Sequence, residues 1–281
     1  MFGQRLTEAV TAHGPLCAGI DPHAALLEQW GLADDIEGLR TFARTCVEAF
    51  AGTVACVKPQ SAFFERFGSA GVAVLEQTLA DLRAAGTLTV LDVKRGDIGS
   101  TMAGYARAHL GPDAPLWADA ITLSPYLGYD SLRPALDLAA EHGHGAFVLA
   151  LTSNPEGRSV QHAQLDGTSV AGSVVAGVSR DNAAAIAAGH LGSVGMVVGA
   201  TVGSAVADLG LDLAAAGGPL LAPGIGAQGA TGADLRDVFG DARRFVLASS
   251  SRDVLSAGPD TGALAARARD VAEQVRAMLN G

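Results

Sequence analysis

The sequence predicts a single (β/α)8 barrel, on the strength of three observations. Short, almost continuously apolar runs recur eight times, helical patterns separate them, and nearly every run ends in polar, glycine or proline residues. Strands that are apolar throughout are buried on both faces, which is typical of a parallel sheet covered by helices. Eight alternations within about 250 residues match the closed barrel better than an open doubly wound sheet, which is the alternative fold. We expect one domain over residues 1–281.

Each predicted element follows from its local pattern of apolar residues. The predicted strands are Leu16–Asp21, Val54–Lys58, Leu88–Lys94, Ala118–Ser124, Ala146–Ser153, Val194–Thr201, Leu220–Gly226 and Phe245–Ser251. The predicted helices begin after the cap Asp34-Asp35, at Ser69 with Gly86 as terminator, at Ser131 and at Thr261.

Composition excludes several classes of protein. The chain is 49% hydrophobic and 17% charged, which suits a packed enzyme and argues against disorder. Its net charge of -10 disfavours nucleic acid and anionic membranes as partners. Cys17, Cys46 and Cys56 lie in apolar runs without metal-ligand spacing, so we expect reduced, buried thiols. No signal peptide or membrane-spanning run is recognisable, and we expect a cytoplasmic protein.

An alternating charged motif closes the third predicted strand. Asp92, Lys94 and Asp97 follow the spacing Asp-x-Lys-x-x-Asp. Since residues i and i+2 of a strand share a face, Asp92 and Lys94 should project together. Such a cluster is costly to desolvate unless a site uses it. The alternative is a solvated ion pair at the edge of a loop.

Polar residues also stand where this fold places its chemistry. Active sites of (β/α)8 barrels lie at the carboxyl ends of the strands. The residues at or just beyond those ends are Asp21, Lys58, Asp92 with Lys94, Ser124, Ser153, Thr201, Gln228 and Arg252.

The segment Pro223–Gly229 contains a formal G-x-G-x-x-G pattern. A dinucleotide fold would carry it after the first strand, but here it follows the seventh. In barrels, the loops after strands seven and eight commonly bind phosphate. Glycines let the backbone approach the anion, and Arg252 at the next strand end can add a guanidinium group. The pattern therefore predicts a phosphorylated substrate, unless the glycines serve only a tight turn.

Together these motifs resemble the orotidine 5′-phosphate decarboxylase family. The resemblance spans Asp21 to Arg252, and the segments Lys94–Thr101 and Thr122–Gly128 look like its longer bacterial (type 2) branch. It implies a carbon–carbon lyase that converts orotidine 5′-monophosphate (OMP) to UMP and CO₂ in de novo pyrimidine biosynthesis. It also implies a reaction without a metal or an organic cofactor.

The resemblance implies a catalytic array and a homodimer. Lys58, Asp92, Lys94 and Asp97 would form an alternating charged array, in which Lys94 stabilises and protonates the carbanion at C6 of the pyrimidine. Asp97 and Thr101 would reach into the site of the neighbouring subunit.

The resemblance also implies contacts to the substrate. Asp21 and Lys58 would bind ribose hydroxyls, and Ser153 would hydrogen-bond the pyrimidine edge. Gln228 and Arg252 would hold the phosphate, within a loop formed by Pro223, Gly226 and Gly229. The residues themselves suggest no role for three further polar positions, Ser124, Thr201 and His23.

Two other functions stay open. Metal-dependent sugar-phosphate decarboxylases and aldolases of the same barrel superfamily also use Asp-x-Lys-x-x-Asp. They place a carboxylate where Lys58 stands, and a lysine there disfavours a divalent cation. A catalytically silent nucleotide-binding barrel is the second alternative, but it would not need four ionised groups held together at a cost in stability.

Overall fold

Eight parallel strands close into a barrel in the computed structural model, which describes residues 1–225 and 230–281. All eight predicted strands are confirmed, with ends that differ by a few residues. A short antiparallel hairpin between the fifth and sixth barrel strands was not predicted. The strands are β1 (Leu16–Ile20), β2 (Cys56–Pro59), β3 (Leu88–Arg95), β4 (Ala120–Leu123), β5 (Gly145–Leu151), the hairpin strands β6 (Gln164–Leu165) and β7 (Thr168–Ser169), β8 (Val194–Val198), β9 (Leu220–Pro223) and β10 (Val246–Ser250).

The helices alternate with the barrel strands. They are α1 (Phe2–His13), α2 (Ala24–Gln29), α3 (Ile36–Phe50), α4 (Ser61–Glu65), α5 (Gly68–Ala84), α6 (Gly99–His109), α7 (Arg133–His142), α8 (Arg158–Gln161), α9 (Val170–Ala187), α10 (Ala205–Asp208), α11 (Gly232–Phe239), α12 (Arg252–Leu255) and α13 (Thr261–Asn280). Short 3₁₀ turns cover Tyr129–Leu132, Pro155–Gly157 and Gly240–Phe245.

The predicted helix starts are confirmed in part. Asp35 caps α3 as expected, since its carboxylate accepts hydrogen bonds from the Glu37 and Gly38 amides. The helix predicted from Ser69 begins one residue earlier, at Gly68. The helix predicted from Ser131 begins at Arg133, because a 3₁₀ turn occupies the preceding residues.

The inside of the barrel is apolar at its amino-terminal end. Side chains alternate across each strand, so every second residue points inward. The apolar inward residues of this end and of the middle of the barrel are Cys17, Cys56, Leu88, Val90, Ala120, Phe147, Val197, Leu221 and Leu247. Phe2 and Leu6 of α1 pack against them and close the barrel, with Phe2 edge-on to Phe147 at 6.0 Å between ring centroids. Polar inward residues are therefore concentrated at the opposite, carboxyl end.

The three cysteines are buried and free, as expected. Burial raises the pKa of the Cys46 and Cys56 thiols well above the ordinary value, so both stay protonated. Among the described residues, none of the helices combines the length and the apolar composition that a membrane crossing requires.

Removing the side chain that closes the barrel should destabilise the fold without changing the chemistry. Phe2 is fully buried, so Phe2→Ala should lower the free energy of unfolding by about 3–5 kcal/mol. Urea denaturation measures the change. The exposed Leu165 provides the control, because Leu165→Ala should stay within about 0.5 kcal/mol of wild type. Equal stability of the two variants would contradict a packing role for Phe2.

Candidate active site

A cavity of about 480 Å³ opens at the carboxyl ends of the barrel strands. This is the end at which (β/α)8 enzymes carry their active sites. Its floor is apolar and its rim is polar. The lining side chains include Asp21, Lys58, Gln60, Asp92, Lys94, Thr122, Leu149, Leu151, Ser153, Val197, Leu221, Pro223, Ser249, Ser251 and Arg252.

The carboxylate of Asp92 is the centre of the polar cluster. One oxygen, Oδ1, lies 2.6 Å from Lys94 Nζ and accepts a hydrogen bond from Thr122 Oγ1 at 2.8 Å. The other, Oδ2, lies 3.1 Å from Lys58 Nζ and 3.2 Å from Gln60 Nε2. Each oxygen of this buried anion therefore has two donors.

The two buried ionisable residues of this cluster, Asp92 and Lys58, are both charged at neutral pH. Burial by itself would raise the pKa of Asp92, but the Lys58 and Lys94 ammonium groups outweigh it and lower the pKa to about 2. Burial would likewise lower the pKa of Lys58, but the carboxylates of Asp21 and Asp92 raise it above its ordinary value. Asp92 and Lys58 are thus both kept ionised by the charges around them.

The two lysines differ in access to the cavity. The side chain of Lys58 is 7% exposed, whereas that of Lys94 is 46% exposed. Both contact the same carboxylate, one on each oxygen. Lys94 is therefore the ammonium group that a molecule in the cavity can reach.

The backbone at Lys94 adopts a left-handed conformation, with φ of 44°. A non-glycine residue in this region costs about 1–3 kcal/mol and is found mostly at functional sites. The pairing of β3 with β4 shifts register between Leu91 and Arg95, and the Lys94 amide donates to Thr122 Oγ1 at 2.9 Å. The Lys94 ammonium group thus contacts Asp92 from an irregular, left-handed end of β3.

Four of the predicted substrate contacts line the rim of the cavity: Asp21, Ser153, Pro223 and Arg252. Asp21 Oδ1 is buried and has no hydrogen-bond donor within the described residues. An unpaired buried acceptor that faces a cavity is suited to a ligand hydroxyl. Three other predicted contacts, Gly226, Gln228 and Gly229, lie outside the described residues.

The loop that carries Ser153 is tied back onto itself. Gln161 accepts a hydrogen bond from the Thr152 amide at 2.9 Å and donates one to Thr152 Oγ1 at 2.7 Å. Both ends of the Gln161 amide are therefore used to hold the loop. This contact keeps Ser153 at the edge of the cavity.

Asp97 and Thr101 do not join the cluster within one chain. Asp97 Oδ1 accepts a hydrogen bond from the next amide, that of Ile98, and Thr101 lies exposed on α6. The side chains of Ile98, Tyr126 and Leu127 are also exposed. The segments that carry them are adjacent where Gly96 lies against Ser124. The expected contribution of Asp97 and Thr101 to a neighbouring subunit stays a prediction.

Sequence reasoning missed two of the donors to Asp92, Gln60 and Thr122. Gln60 lies two positions beyond Lys58, so the period of two could have found it. Thr122 had no such signal, because its named neighbour Ser124 lies beyond the end of β4. Thr122 lines the cavity, whereas Ser124 and Thr201, which the sequence singled out, do not. His23 does line it, and its Nδ1 accepts a hydrogen bond from the Leu26 amide at the start of α2.

Comparison with known proteins identifies the family. The model of the "Orotidine 5'-phosphate decarboxylase / HUMPS family" matches residues 14–266. The chain is 60% identical to orotidine 5′-phosphate decarboxylase of Salinispora arenicola over 281 residues, covering 100% of this chain and 99% of the relative. It is 60% identical to the enzyme of the same name from Streptomyces coelicolor over 277 residues, covering 98% of this chain and 97% of the relative.

Solved structures agree with this result. A crystal structure from Streptomyces avermitilis, described under the same enzyme name, is 58% identical in sequence and has a TM-score of 0.94. The match covers 100% of this chain and 96% of that one. OMP decarboxylase of Leishmania donovani is 29% identical, with a TM-score of 0.74 and coverage of 100% of this chain and 99% of that one. The resemblance seen in the sequence motifs is confirmed: the chain belongs to the orotidine 5′-phosphate decarboxylase family.

Proposed function

We propose that the chain converts OMP to UMP and CO₂, with Lys94 as the residue that stabilises and protonates the reacting carbon. The observation that carries this proposal is the buried Asp92 carboxylate held between two ammonium groups in the lining of the cavity. We also propose that residues 1–281 form one domain that acts in pyrimidine biosynthesis. Three free, buried cysteines suit the reducing cytoplasm.

The chemistry requires an electrostatic site. When the bond between C6 and the carboxylate breaks, the electron pair stays on C6, where no ring nitrogen is placed to delocalise it. A fixed positive charge in a site of low polarity stabilises such a carbanion more strongly than water does. Lys94 supplies this charge from the end of β3 and then donates a proton from Nζ to C6. Solvent returns the proton to the lysine after UMP leaves.

Asp92 and its other partners position Lys94. The carboxylate holds Nζ at 2.6 Å, while Lys58, Gln60 and Thr122 occupy its remaining hydrogen-bonding positions. A carboxylate with all of these donors has little freedom to rotate. The ammonium group of Lys94 is therefore oriented before the substrate arrives, which is the arrangement that electrostatic catalysis requires.

Groups far from C6 bind the rest of the nucleotide. The Oδ1 atom of Asp21 is available to accept a hydrogen bond from a ribose hydroxyl. Lys58 lies close enough to the Asp21 carboxylate for the two charges to interact. Arg252 and the glycine-containing segment Pro223–Gly229 are suited to the phosphate, and Ser153 to the edge of the pyrimidine. Binding energy from these remote contacts orients the ring and so contributes to turnover as well as to affinity.

A second copy of the chain completes the site in this proposal. Asp97 follows Lys94 by three residues. Within the described part of the chain, it makes no hydrogen bond to the Asp92 cluster of its own chain. The exposed Ile98 and Tyr126 beside it provide an apolar surface that a partner could cover. Asp97 and Thr101 would then enter the partner's cavity.

The proposal favours a metal-free reaction over the sugar-phosphate alternative. Both oxygens of Asp92 already accept hydrogen bonds from ammonium groups. A divalent cation at this carboxylate would have to displace Lys58, which is buried beside it. Hydrogen bonds from lysine thus take the place that a metal would need.

The first test is turnover of OMP in EDTA. The wild-type protein should consume OMP, seen as a loss of its absorbance, and form UMP. Lys94→Ala should lower kcat by at least about 10³-fold, since both charge stabilisation and proton donation are lost. No turnover by the wild type, or turnover only after Mg²⁺ is added, would refute the proposed reaction.

Thr122 should affect turnover through Asp92 and Lys94. Thr122→Val has nearly the same shape but cannot donate to Asp92 or accept from the Lys94 amide, so kcat should fall about 10- to 100-fold. Thr122→Ser keeps the hydroxyl and should retain most of the activity. Steady-state kinetics of the three proteins measure this, and equal kcat values for valine and serine would rule out a role for the hydroxyl.

Mixing two inactive variants tests the shared site. If Asp97 acts in the partner's cavity, Lys94→Ala and Asp97→Ala protomers re-assorted at equal amounts should regain about a quarter of wild-type activity. Only mixed dimers then contain an intact site, and each contains one. Unfolding and refolding the mixture permits the exchange, while each variant refolded alone is the control. No recovery in the mixture would place Asp97 in the site of its own chain.

A further inference from the structure

Arg95 makes an ion pair outside the cavity, directly after Lys94. Its Nη2 lies 2.7 Å from Glu65 Oε1, and the Ser61 hydroxyl donates to the same oxygen at 2.6 Å. The Ser61 hydroxyl and the Arg95 guanidinium both lower the pKa of Glu65, so this carboxyl stays ionised. None of these three residues lines the cavity.

The ion pair connects the two strands that carry the lysines. Glu65 and Ser61 are the two ends of α4, which begins immediately after Gln60. That helix is therefore continuous with the strand end that holds Lys58. Arg95 is the last residue of β3 and directly follows Lys94. The contact between Arg95 and Glu65 thus joins the end of β2 to the end of β3 from the outside of the barrel.

Arg95 also reaches the two elements that follow β3 along the chain. Its guanidinium lies 5.5 Å from the ring centroid of Tyr105 on α6. Its carbonyl oxygen accepts a hydrogen bond from the Ser124 amide, beyond β4, at 2.8 Å. A single residue thereby contacts α4, α6 and the segment after β4.

The neighbouring Lys94 has a backbone that needs such support. Its left-handed conformation is one that an unconstrained lysine rarely adopts. On one side, the Lys94 amide is held by Thr122. On the other side, the next residue is held by the contacts of Arg95. If the Arg95 side chain were released, the Lys94 backbone could leave the left-handed region, and the direction in which its side chain projects towards Asp92 would change.

We propose that Arg95 is a positioning residue, whose ion pair with Glu65 holds Lys94 in the conformation that keeps its ammonium group on Asp92. This inference rests on the proposed function for its effect on turnover. It makes a separate structural claim about the Lys94 backbone.

The test compares Arg95→Ala with a matched ion pair elsewhere. Arg133 pairs with Asp181 away from the cavity and has almost the same side-chain exposure, 34% against 33% for Arg95. The Arg95–Glu65 pair is partly exposed at both residues and adds little to stability, so Arg95→Ala should keep a Tm close to wild type. Arg133→Ala should lower the Tm at least as much, because Asp181 is only 13% exposed. Arg95→Ala should nevertheless lower kcat about 10- to 100-fold with little change in KM, whereas Arg133→Ala should match wild-type kinetics.

Two further variants separate positioning from a general effect of charge. Arg95→Lys keeps a cation opposite Glu65 and should recover part of the lost kcat. Glu65→Gln should reproduce the loss of Arg95→Ala, and the double variant Arg95→Ala/Glu65→Gln should lose no more than the single one, because the two residues act as a unit. Glu65→Gln also provides the test if Arg95→Ala does not fold.

Crystal structures of the wild type and Arg95→Ala provide a readout that does not depend on activity. We expect Lys94 of the variant to leave the left-handed region and Nζ to move beyond hydrogen-bonding distance of Asp92, about 3.2 Å. An unchanged Lys94, or a kcat equal to that of Arg133→Ala, would overturn the inference. If the wild type does not decarboxylate OMP, the proposed function fails, and the structures alone decide the role of Arg95.

Discussion

The interaction between Asp92 and its four donors is the constraint on which the site depends. A carboxylate buried at the end of a barrel is tolerated only if its charge and its hydrogen-bonding capacity are both satisfied. Lys58, Gln60, Lys94 and Thr122 do this from three neighbouring strand ends. The relation is mutual, since Lys58 is itself buried and donates its hydrogen bond to Asp92. The cluster therefore requires β2, β3 and β4 to keep their register.

The barrel sets the register of these strands and surrounds the charged cluster with apolar side chains. Alternation along each strand places apolar side chains inward at the amino-terminal end and polar ones inward at the carboxyl end. Phe2 closes the apolar end, and Leu149, Val197 and Leu221 give the cavity an apolar floor. Charges above such a floor interact more strongly than they would in water. The same packing that stabilises the fold thus strengthens the electrostatics of the site.

The two lysines differ in exposure and therefore in role. Lys58 is buried and keeps Asp92 ionised, while Lys94 contacts the same carboxylate from the cavity side. Lys94 makes this contact from a left-handed backbone conformation at the end of β3. The contacts of Thr122 on the inside and of Arg95 on the outside lie on either side of that residue. A strained residue held by its neighbours is a common feature of functional sites.

The sequence by itself determined the eight strands, the cap at Asp35 and the shared face of Asp92 and Lys94. These depend on periodicity and on residues a few positions apart, which any chain of this pattern must obey. Only the tertiary structure decided that Gln60 and Thr122 complete the shell of Asp92 and that Arg95 pairs with Glu65. Those contacts join residues 30 to 32 positions apart along the chain, on neighbouring strand ends or on a strand and a helix. Their partners depend on how far each strand is shifted against the next when the barrel closes, and no local pattern encodes that shift.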